Sequence, residues 1–451
     1  MFRKSFVVAL LCALVSAACS DSSSRRAAPT LTSLDLTTVN FEVLHASQDA
    51  PPVNVTIGAS QAFSGVGYGS AGFVSTTAGG VDVQVDGILP GGPAPVIGPT
   101  TLDTVDGQRV SILAVGPVAS IEPLVLVDDQ PAVDAAEVRV RVVHAASTAP
   151  MVDVYVTAPT ADITMEAPLG TFEFKGTLGP VTVPEGDYRI QVTIAGDPTT
   201  VAYDSGTVGL AGGSDLLVAA IPNVATGAAA VELVALTGSG ALRLLDANST
   251  ADVRVIHASP DAPNVDVVAA DNFAAPAVTN LAFPEVTGYL NLTPGDLNVK
   301  VVPTGAMMPV VIDADLSLAA ATAYSVLAVG DLATIAPLVL VDDIRPVGTE
   351  ARVRIVHASP SAGDVDLYVV APGTDISTVT PNFTGVAFTA DTGYVSLAAG
   401  DYDVVVTPTG DTTPAIGPVT ISVAAGGIYT AAARDESGGG TPLGLILYDD
   451  F

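Results

Sequence analysis

The sequence predicts an all-β protein made of four tandem immunoglobulin-like antiparallel β-sandwich domains. Three observations support this fold class: one motif recurs four times, apolar and polar residues alternate within each copy, and turn-forming residues separate these runs. Alternation with a period of two puts one face of a strand on a core and the other in water, as in antiparallel strands. About 100 residues per copy are enough for one sandwich.

The first residues of the chain predict an export signal. Two basic residues precede a short apolar run at 6–15, which is too short to cross a bilayer because a spanning helix needs about 20 residues. Small residues follow this run, and Cys19 comes directly after them. We therefore expect residues 1–18 to be a signal peptide and residues 19–37 to be a polar tether.

The small residues that end in Cys19 resemble the lipobox of bacterial lipoproteins. In that family the cysteine becomes the lipidated first residue of the mature protein. The resemblance implies lipidation of Cys19 and a membrane contact through this anchor. Ser20 follows the cysteine where an aspartate would point to the inner membrane, so the implied location is the outer membrane or cell surface. Cleavage after Ala18 by an ordinary signal peptidase is the alternative, and it would give a secreted or soluble periplasmic protein.

Each repeat opens with an apolar strand, a His-Ala pair and a turn that contains small residues and proline. All four histidines of the chain occupy this one place, at intervals close to one hundred residues. Repeats one and three also share a closing string, Leu-Val-Leu-Val-Asp-Asp, at 124–129 and 338–343. The first two repeats therefore look like a pair that was later duplicated as a pair. The expected domains are residues 38–133, 134–248, 249–347 and 348–451.

Alternating strands and a recurring turn support the sandwich assignment. Residues 138–142 alternate valine with arginine, and a Gly-Asp turn precedes a strand at matching places in the repeats. Tyr188 and Tyr402 follow this turn, where a tyrosine could pack as in the tyrosine corner of immunoglobulin-like sandwiches. Val81 and Leu297 stand at that place in repeats one and three, so we expect the corner in only half of the domains.

The string His-Ala-Ser-Pro-Asp-Ala-Pro at 257–263, followed by Val-Asp-Val at 265–267, resembles the start of the domain-of-unknown-function 4397 family. Further matching strings lie at 152–156 and 365–369. Members of this family are bacterial exported or surface proteins with tandem β-domains. The resemblance covers the chain after about residue 38. It implies a β fold and an exported location, and it carries no established activity.

We interpret the histidine motif as a structural turn, because a histidine at a strand end can hydrogen-bond a loop carbonyl. A serine two residues after the histidine suggests a hydrolase dyad, but the serine of repeat two, Ser147, is three residues away. The chain also has no Gly-x-Ser-x-Gly nucleophile elbow, so we predict no catalytic residue. The predicted turn residues are His45, His144, His257, His357, Ser47, Ser259 and Ser359.

The sequence predicts no metal site and no cofactor. Both cysteines lie in the N-terminal segment, and one histidine per repeat argues against zinc. Aspartate pairs end repeats one, three and four, at 128–129, 342–343 and 449–450, and could meet Asp49 or Asp261 to bind calcium. We favour the interpretation that these pairs are solvated strand ends.

The 47 acidic and 16 basic side chains give a net charge of −31, which excludes a nucleic-acid binder because such a protein needs a basic face. We expect a non-enzymatic, lipid-anchored cell-envelope protein. Its domains would form a rod for surface display, adhesion or scaffolding, with an unidentified extracellular protein or polysaccharide partner. The alternative is a carbohydrate- or polymer-binding accessory protein, although tryptophan, a common sugar-stacking residue, is absent.

Overall fold

The computed structural model describes residues 38–449. The predicted signal peptide and tether, with Cys19, lie outside the described residues. Regular structure in the described range consists of β-strands and three short 3-10 helices, which confirms the all-β prediction. Residues 38–449 contain no helix with the length and hydrophobicity of a membrane-spanning segment.

Domain 1 contains two four-stranded sheets. Its strands are β1 (Thr38–His45), β2 (Val53–Ile57), β3 (Ser60–Val66), β4 (Ala71–Thr77), β5 (Gly80–Leu89), β6 (Gly92–Asp103), β7 (Gln108–Val115) and β8 (Glu122–Asp129), with a 3-10 helix at Val118–Ser120. One sheet has the order β4-β1-β7-β8 and the other β3-β2-β5-β6. β1 runs parallel to β7, and the other pairings in the domain are antiparallel.

Domain 2 has the same plan with one additional strand. Its strands are β9 (Glu137–His144), β10 (Val152–Thr157), β11 (Gly170–Phe172), β12 (Thr177–Pro184), β13 (Gly186–Ile194), β14 (Asp197–Leu210), β15 (Asp215–Pro222), β16 (Val231–Leu236) and β17 (Ala241–Leu244), with a 3-10 helix at Ile163–Met165. The sheets have the orders β12-β9-β15-β16-β17 and β11-β10-β13-β14. β17 is therefore a fifth strand added to the edge of the first sheet.

Domain 3 returns to eight strands. They are β18 (Ala251–His257), β19 (Val265–Ala269), β20 (Val278–Leu281), β21 (Leu290–Leu292), β22 (Gly295–Pro303), β23 (Ile312–Leu318), β24 (Thr322–Val329) and β25 (Ala336–Asp342). The sheets have the orders β21-β18-β24-β25 and β20-β19-β22-β23.

Domain 4 repeats this arrangement. Its strands are β26 (Ala351–His357), β27 (Val365–Val370), β28 (Phe383–Val386), β29 (Val395–Leu397), β30 (Gly400–Pro408), β31 (Ile416–Val423), β32 (Ile428–Arg434) and β33 (Gly444–Asp449), with a 3-10 helix at Ile376–Thr378. The sheets have the orders β29-β26-β32-β33 and β28-β27-β30-β31.

In each domain the two sheets enclose a hydrophobic core, so the predicted immunoglobulin-like sandwich architecture is confirmed. In domain 1, for example, Val43 and Ile112 of one sheet pack with Val55 and Val85 of the other. The strand order differs from that of immunoglobulin constant domains, in which the first two strands share a sheet. Alternation could not reveal the parallel pairing of the first and seventh strands, because side chains alternate equally in parallel and antiparallel strands.

Domains 1 and 2 share a second core, which lies between the sheets that contain their first strands. Leu44 and Leu113 of domain 1 pack with Val143, Leu217 and Val234 of domain 2, and all five are fully buried. These two sheets are consequently covered on both faces. The expectation that one face of such strands lies in water is wrong here, because the neighbouring domain takes the place of the solvent.

Domains 3 and 4 pack together in the same way. Ile256, Leu327 and Leu340 of domain 3 share a core with Val356 and Ala432 of domain 4. The structural pairs, domains 1 with 2 and domains 3 with 4, are the same pairs that the repeated closing strings indicate. Because a sandwich packs on a sandwich, each pair has four sheet layers, with apolar residues packed inside each sandwich and between the two sandwiches.

The segment between β25 and β26 contacts domain 1. Arg345 Nη1 donates hydrogen bonds to the carbonyl oxygens of Gln48 (3.1 Å) and Ala50 (2.9 Å). The Gly348 N–H donates to the carbonyl of Asp49 at 2.7 Å. These bonds tie the connection between domains 3 and 4 to the first histidine turn.

Candidate functional site

The four histidines lie at equivalent places, each at the last residue of the first strand of its domain. Each ring contacts the backbone carbonyl six residues further along. The Nε2 to oxygen distances are 2.9 Å for His45 to Pro51, 3.1 Å for His144 to Pro150, 3.1 Å for His257 to Pro263 and 3.0 Å for His357 to Gly363. Because a carbonyl only accepts, Nε2 carries the proton and donates it. The ring therefore joins the start of the turn to its end.

Burial favours the neutral form of His45, His144 and His257, and in two domains the other ring nitrogen accepts a hydrogen bond. In domains 2 and 4, Nδ1 accepts a hydrogen bond from the backbone N–H two residues on, at 3.3 Å from Ala146 and 3.4 Å from Ser359. His45 is fully buried, and this burial lowers its pKa to about 4. Burial also lowers the pKa values of His144 and His257. A neutral ring with a carbonyl on Nε2 is suited to holding a loop.

Aromatic rings cover three of the four histidines. Tyr68 lies edge-on to His45 with the ring centroids 6.0 Å apart. Phe283 takes the same place against His257 at 6.1 Å, and Phe388 takes it against His357 at 6.0 Å. These rings come from the segment that follows the third strand, and they separate the histidines from solvent.

The three serines of the motif are fully buried. Ser359 donates its hydroxyl to the carboxylate of Asp435, whereas Ser47 and Ser259 have no hydrogen-bond partner for Oγ among the described residues. Asp435 lies two residues after Ala433, the strand partner of His357. Domains 1 and 3 have a glycine at the position of Asp435, so their serines lack this carboxylate. Each serine lies near its histidine. However, the Oγ atoms of Ser47, Ser259 and Ser359 make no hydrogen bond to the histidine rings.

The aspartate of the Val-Asp-Val string has a structural role that the sequence analysis missed. Asp266 is buried and accepts hydrogen bonds from the N–H groups of Asn280 (2.8 Å) and Gly305 (2.9 Å). Burial raises the pKa of this carboxyl, but hydrogen bonds from the two amides and from Thr304 together outweigh the effect of burial, and the net pKa is lowered. Asp366 makes the equivalent two bonds in domain 4. The recurrence of the string was the signal that could have identified this tie between two hairpins.

A buried carboxylate holds two arginines at the interface of domains 3 and 4. Asp342 accepts from Arg354 Nη2 at 2.6 Å, and Arg254 Nη2 lies 3.4 Å from its other oxygen. That oxygen also accepts hydroxyl hydrogen bonds at 2.6 Å from Ser325 and Tyr289. Both arginines are 2% exposed, because each lies on a strand whose outer face meets the other domain.

The interface of domains 1 and 2 contains a corresponding cluster. Arg109, 1% exposed, lies 3.8 Å from Glu42, 3.7 Å from Asp128 and 3.3 Å from Asp215. Arg139 Nε donates to Asp215 at 3.0 Å. Burial raises the pKa of Glu42, although a hydrogen bond from Ser111 and the charge of Arg109 act in the opposite direction. Buried charges of this kind need partners, and both interfaces supply them.

The interpretation of the aspartate pairs as solvated strand ends is wrong for the first members of the pairs at 128–129 and 342–343, and the side chains of the pair at 449–450 lie outside the described residues. Asp128 and Asp342 are each 6% exposed, since they face the neighbouring domain. The loop carboxylates considered for calcium are also engaged: Asp49 accepts from the Val118 N–H at 2.8 Å, and Asp261 accepts from the N–H of Leu332 at 2.6 Å. The described residues contain no cluster of three or more His, Cys, Asp or Glu that could hold a metal ion.

A polar cleft of about 410 Å³ lies where the domain pairs meet. Tyr68, Arg243, Asp343, Arg345 and Tyr394 are among its lining residues. Its charged groups already have partners: Arg243 pairs with a buried glutamate of domain 2, Asp343 pairs with an arginine of domain 4, and Arg345 binds two carbonyls. The cleft is therefore mainly a product of domain packing.

Domain 3 has an apolar cavity of about 60 Å³ inside its sandwich, lined by aliphatic side chains and proline. A position on the third strand explains it. The residues paired across the second and third strands are Val55 with Phe63 in domain 1, Val267 with Val278 in domain 3 and Leu367 with Phe383 in domain 4. Valine thus stands in domain 3 where two other domains have phenylalanine, and the missing ring volume leaves the core underfilled.

Comparisons with known proteins find one family. A family model described as a domain of unknown function (DUF4397) matches residues 39–155, 251–368 and 370–451. No curated protein matches the chain. A solved structure, the Bacillus anthracis TIE protein, is 11% identical and the match covers 86% of this chain and 69% of that chain, but its TM-score of 0.16 supports no argument. Because the family model matches well over half of the chain, in three segments, this protein belongs to the DUF4397 family.

Proposed function

We propose that the protein is a non-enzymatic, exported component of the bacterial cell envelope, held at the outer membrane by a lipid on Cys19. Its tandem sandwiches would serve as a scaffold for surface display or adhesion. The observation that carries the proposal is the use of the recurring motif: all four histidines bond backbone carbonyls, and their rings close turns. A histidine whose ring is bonded to a backbone carbonyl closes a turn, so its recurrence favours a structural role of the motif over a catalytic one.

The way in which the domains are joined also supports a scaffold. Each pair shares an apolar core that includes fully buried residues such as Leu44, Leu217, Ile256 and Val356. Such cores hold two domains in one orientation without disulfides, which suits an exported chain whose repeats contain no cysteine. The net charge of −31 would keep the surface soluble and repel other acidic surfaces.

The repeated domains would also favour weak, multiple attachment. Four related domains on one chain can engage a repetitive partner at several points, so that a low affinity at each point is sufficient. The carbohydrate- or polymer-binding alternative differs from this proposal in its partner. Retention of the purified protein on insoluble polysaccharide, reversed by the free sugar, would favour that alternative.

The test of the anchor is metabolic labelling with a palmitate analogue in the native host. The wild type and a Cys12→Ser variant should be labelled and should fractionate with the outer membrane. A Cys19→Ser variant should lose the label. Label that persists in Cys19→Ser would contradict the anchor, and loss of the label in Cys12→Ser would show that the export segment rather than the lipidation site had been damaged.

A further inference from the structure

The last strand of the first sheet is covered in one domain and open in three. In domain 2 this strand is β16, and β17 pairs along it. The equivalent strands β8, β25 and β33 end their sheets, with no further strand beside them among the described residues. An edge strand leaves a row of backbone N–H and C=O groups without ladder partners.

β17 shows what covering this edge does. All six residues of β16 are buried. Leu233 pairs with Leu244 and Ala235 pairs with Leu242, so the leucines of β17 lie on the same face as the residues that they cover. Tyr203, from the opposite sheet, donates its hydroxyl to the Leu244 carbonyl at 3.0 Å. The added strand therefore closes the gap between the two sheets.

Two of the three open edges expose the side chain at a position that β17 covers in domain 2, whereas Val125 of β8 is half-buried at that position. Val339 and Leu447 stand at the position of Ala235, as their pairing with the seventh strand of each domain shows. Val339 is 43% exposed and Leu447 is 54% exposed, whereas Ala235 is 5% exposed. Two residues further along the edge, Val127 is 48% exposed and Val341 is 63% exposed; the equivalent residue of domain 2 is Thr237, a polar residue that follows β16 and is also exposed.

A groove lies beside one of these edges. In domain 4 a cleft of about 350 Å³ separates β31 from β33, and Ile421, Val423, Tyr429 and Leu447 contribute to its walls. Leu244 is half-buried against the core at the corresponding gap in domain 2. The groove has room for an aliphatic side chain that enters from a strand placed beside β33.

The charges indicate the chemistry of the occupant. Within β17, Arg243 stands between two leucines and pairs with Glu232 of the strand that it covers, with Nε 3.1 Å from the carboxylate. Acidic residues end two of the open edges, with Asp129 on β8 and Asp449 on β33. The whole chain carries −31, which opposes pairing with a second copy and attracts a cationic segment.

We infer that β8, β25 and β33 are docking edges for an extended, basic segment of a partner protein with aliphatic residues at alternate positions. The segment adds as an antiparallel strand, in the manner of β17, and its backbone completes the ladder while its aliphatic side chains cover the exposed valines and Leu447. This inference rests on the proposed scaffold function and names the class of its partner.

The probe is a synthetic peptide that copies residues 240–245, Gly-Ala-Leu-Arg-Leu-Leu, with one lysine added at each end. Titration calorimetry with the full chain in detergent should show up to three peptides bound. Amide hydrogen exchange should show new protection in β8, β25 and β33. A peptide with proline in place of its arginine should bind at least tenfold more weakly, because proline lacks the N–H and cannot join a ladder.

Protein variants test the location of binding. Combining Val127→Lys, Val341→Lys and Leu447→Lys should reduce the number of bound peptides to zero. Val379→Lys is the matched control, because Val379 is an exposed valine outside the strands and should leave binding unchanged. Equal binding of the two peptides, or binding unaffected by the triple change, would overturn the inference.

A second copy as the occupant is a separate outcome. If the full chain is dimeric in solution and Val341→Lys makes it monomeric, the edges serve self-association and the inferred foreign partner is wrong. These experiments measure peptide binding without a membrane. Their failure would leave the lipid-labelling test of Cys19 unaffected, so the two proposals can fail independently.

Discussion

The replacement Asp342→Asn is expected to weaken the interface of domains 3 and 4 strongly. Asp342 accepts hydrogen bonds at 2.6 Å from Arg354, Ser325 and Tyr289, and Arg254 lies 3.4 Å away. Asparagine keeps the shape of the side chain but removes its negative charge. It also replaces one accepting oxygen with an NH₂ group, which would face donors.

The magnitude follows from the burial of this group. Removing one partner of a buried ion pair typically costs about 3–5 kcal/mol, because the opposite charge stays buried without compensation. Asp342 is 6% exposed and its two arginines are 2% exposed, so solvent screening reduces this cost little. A unit of about 200 residues loses roughly 2–4 °C in Tm per kcal/mol, which gives an expected fall of about 6–20 °C.

The assay is differential scanning calorimetry of the full chain, with Asp343→Asn as the matched control. The Asp343 side chain is 41% exposed, and its partner Arg352 also lies 3.7 Å from Glu350, so the arginine keeps a carboxylate in the control. Exposed pairs contribute about 0–1 kcal/mol, so the control should shift the transition by a few degrees at most. A fall for Asp342→Asn that is no larger than the fall for Asp343→Asn would refute the reasoning that the buried cluster holds the interface.

Three further predictions concern the cores and the turns. Val278→Phe should raise Tm by a few degrees, because filling the 60 Å³ cavity at about 24 cal/mol per Å³ is worth roughly 1.4 kcal/mol; a lower Tm in calorimetry would mean overpacking. His45→Gln should flatten the pH dependence of stability measured by urea unfolding. The unfolded state binds a proton below pH 6.5 and folded His45 only near pH 4, so the wild-type contribution to stability falls by about 1.4 kcal/mol for each unit by which the pH is lowered from 6.5 to 4; an unchanged slope contradicts this. Gly417→Ala should lower Tm, because φ is +89° and the added Cβ would lie 2.4 Å from the Val404 carbonyl; an unchanged Tm would show that the strand adjusts without cost.

Features that depend on neighbours in sequence were predictable. The Gly-Asp-Tyr turn predicts a tyrosine corner in two repeats, and Tyr188 donates to the Pro184 carbonyl at 2.9 Å while Tyr402 donates to Ala398 at 3.0 Å. The strands follow from alternation within short segments, and the four repeats and their pairing follow from short strings that recur along the chain. These patterns work because a side chain's direction along a strand is a local property of the backbone.

The arginines on alternate strand positions show where such reasoning fails. Arg139 and Arg254 stand where a two-sided strand should meet water, yet they are 7% and 2% exposed. Their partners are distant in the sequence: Asp215 lies on β15 and Asp342 lies on β25. The sequence pattern of a strand with alternating charged residues is the same whether its charged face meets solvent or another domain.

The sequence by itself determined the period-two strands, the four repeats, the resemblance to one family and the acidic, cysteine-free composition of the repeats. Only the tertiary structure decided that the sheets of neighbouring domains share cores and that the first aspartate of two closing pairs is buried. It also decided that, within residues 38–449, β17 covers one edge while three have no further strand beside them. The reason is physical. The alternation of apolar and polar residues shows which side chains share a face of a strand. Whether that face is buried depends on which other part of the chain packs against it.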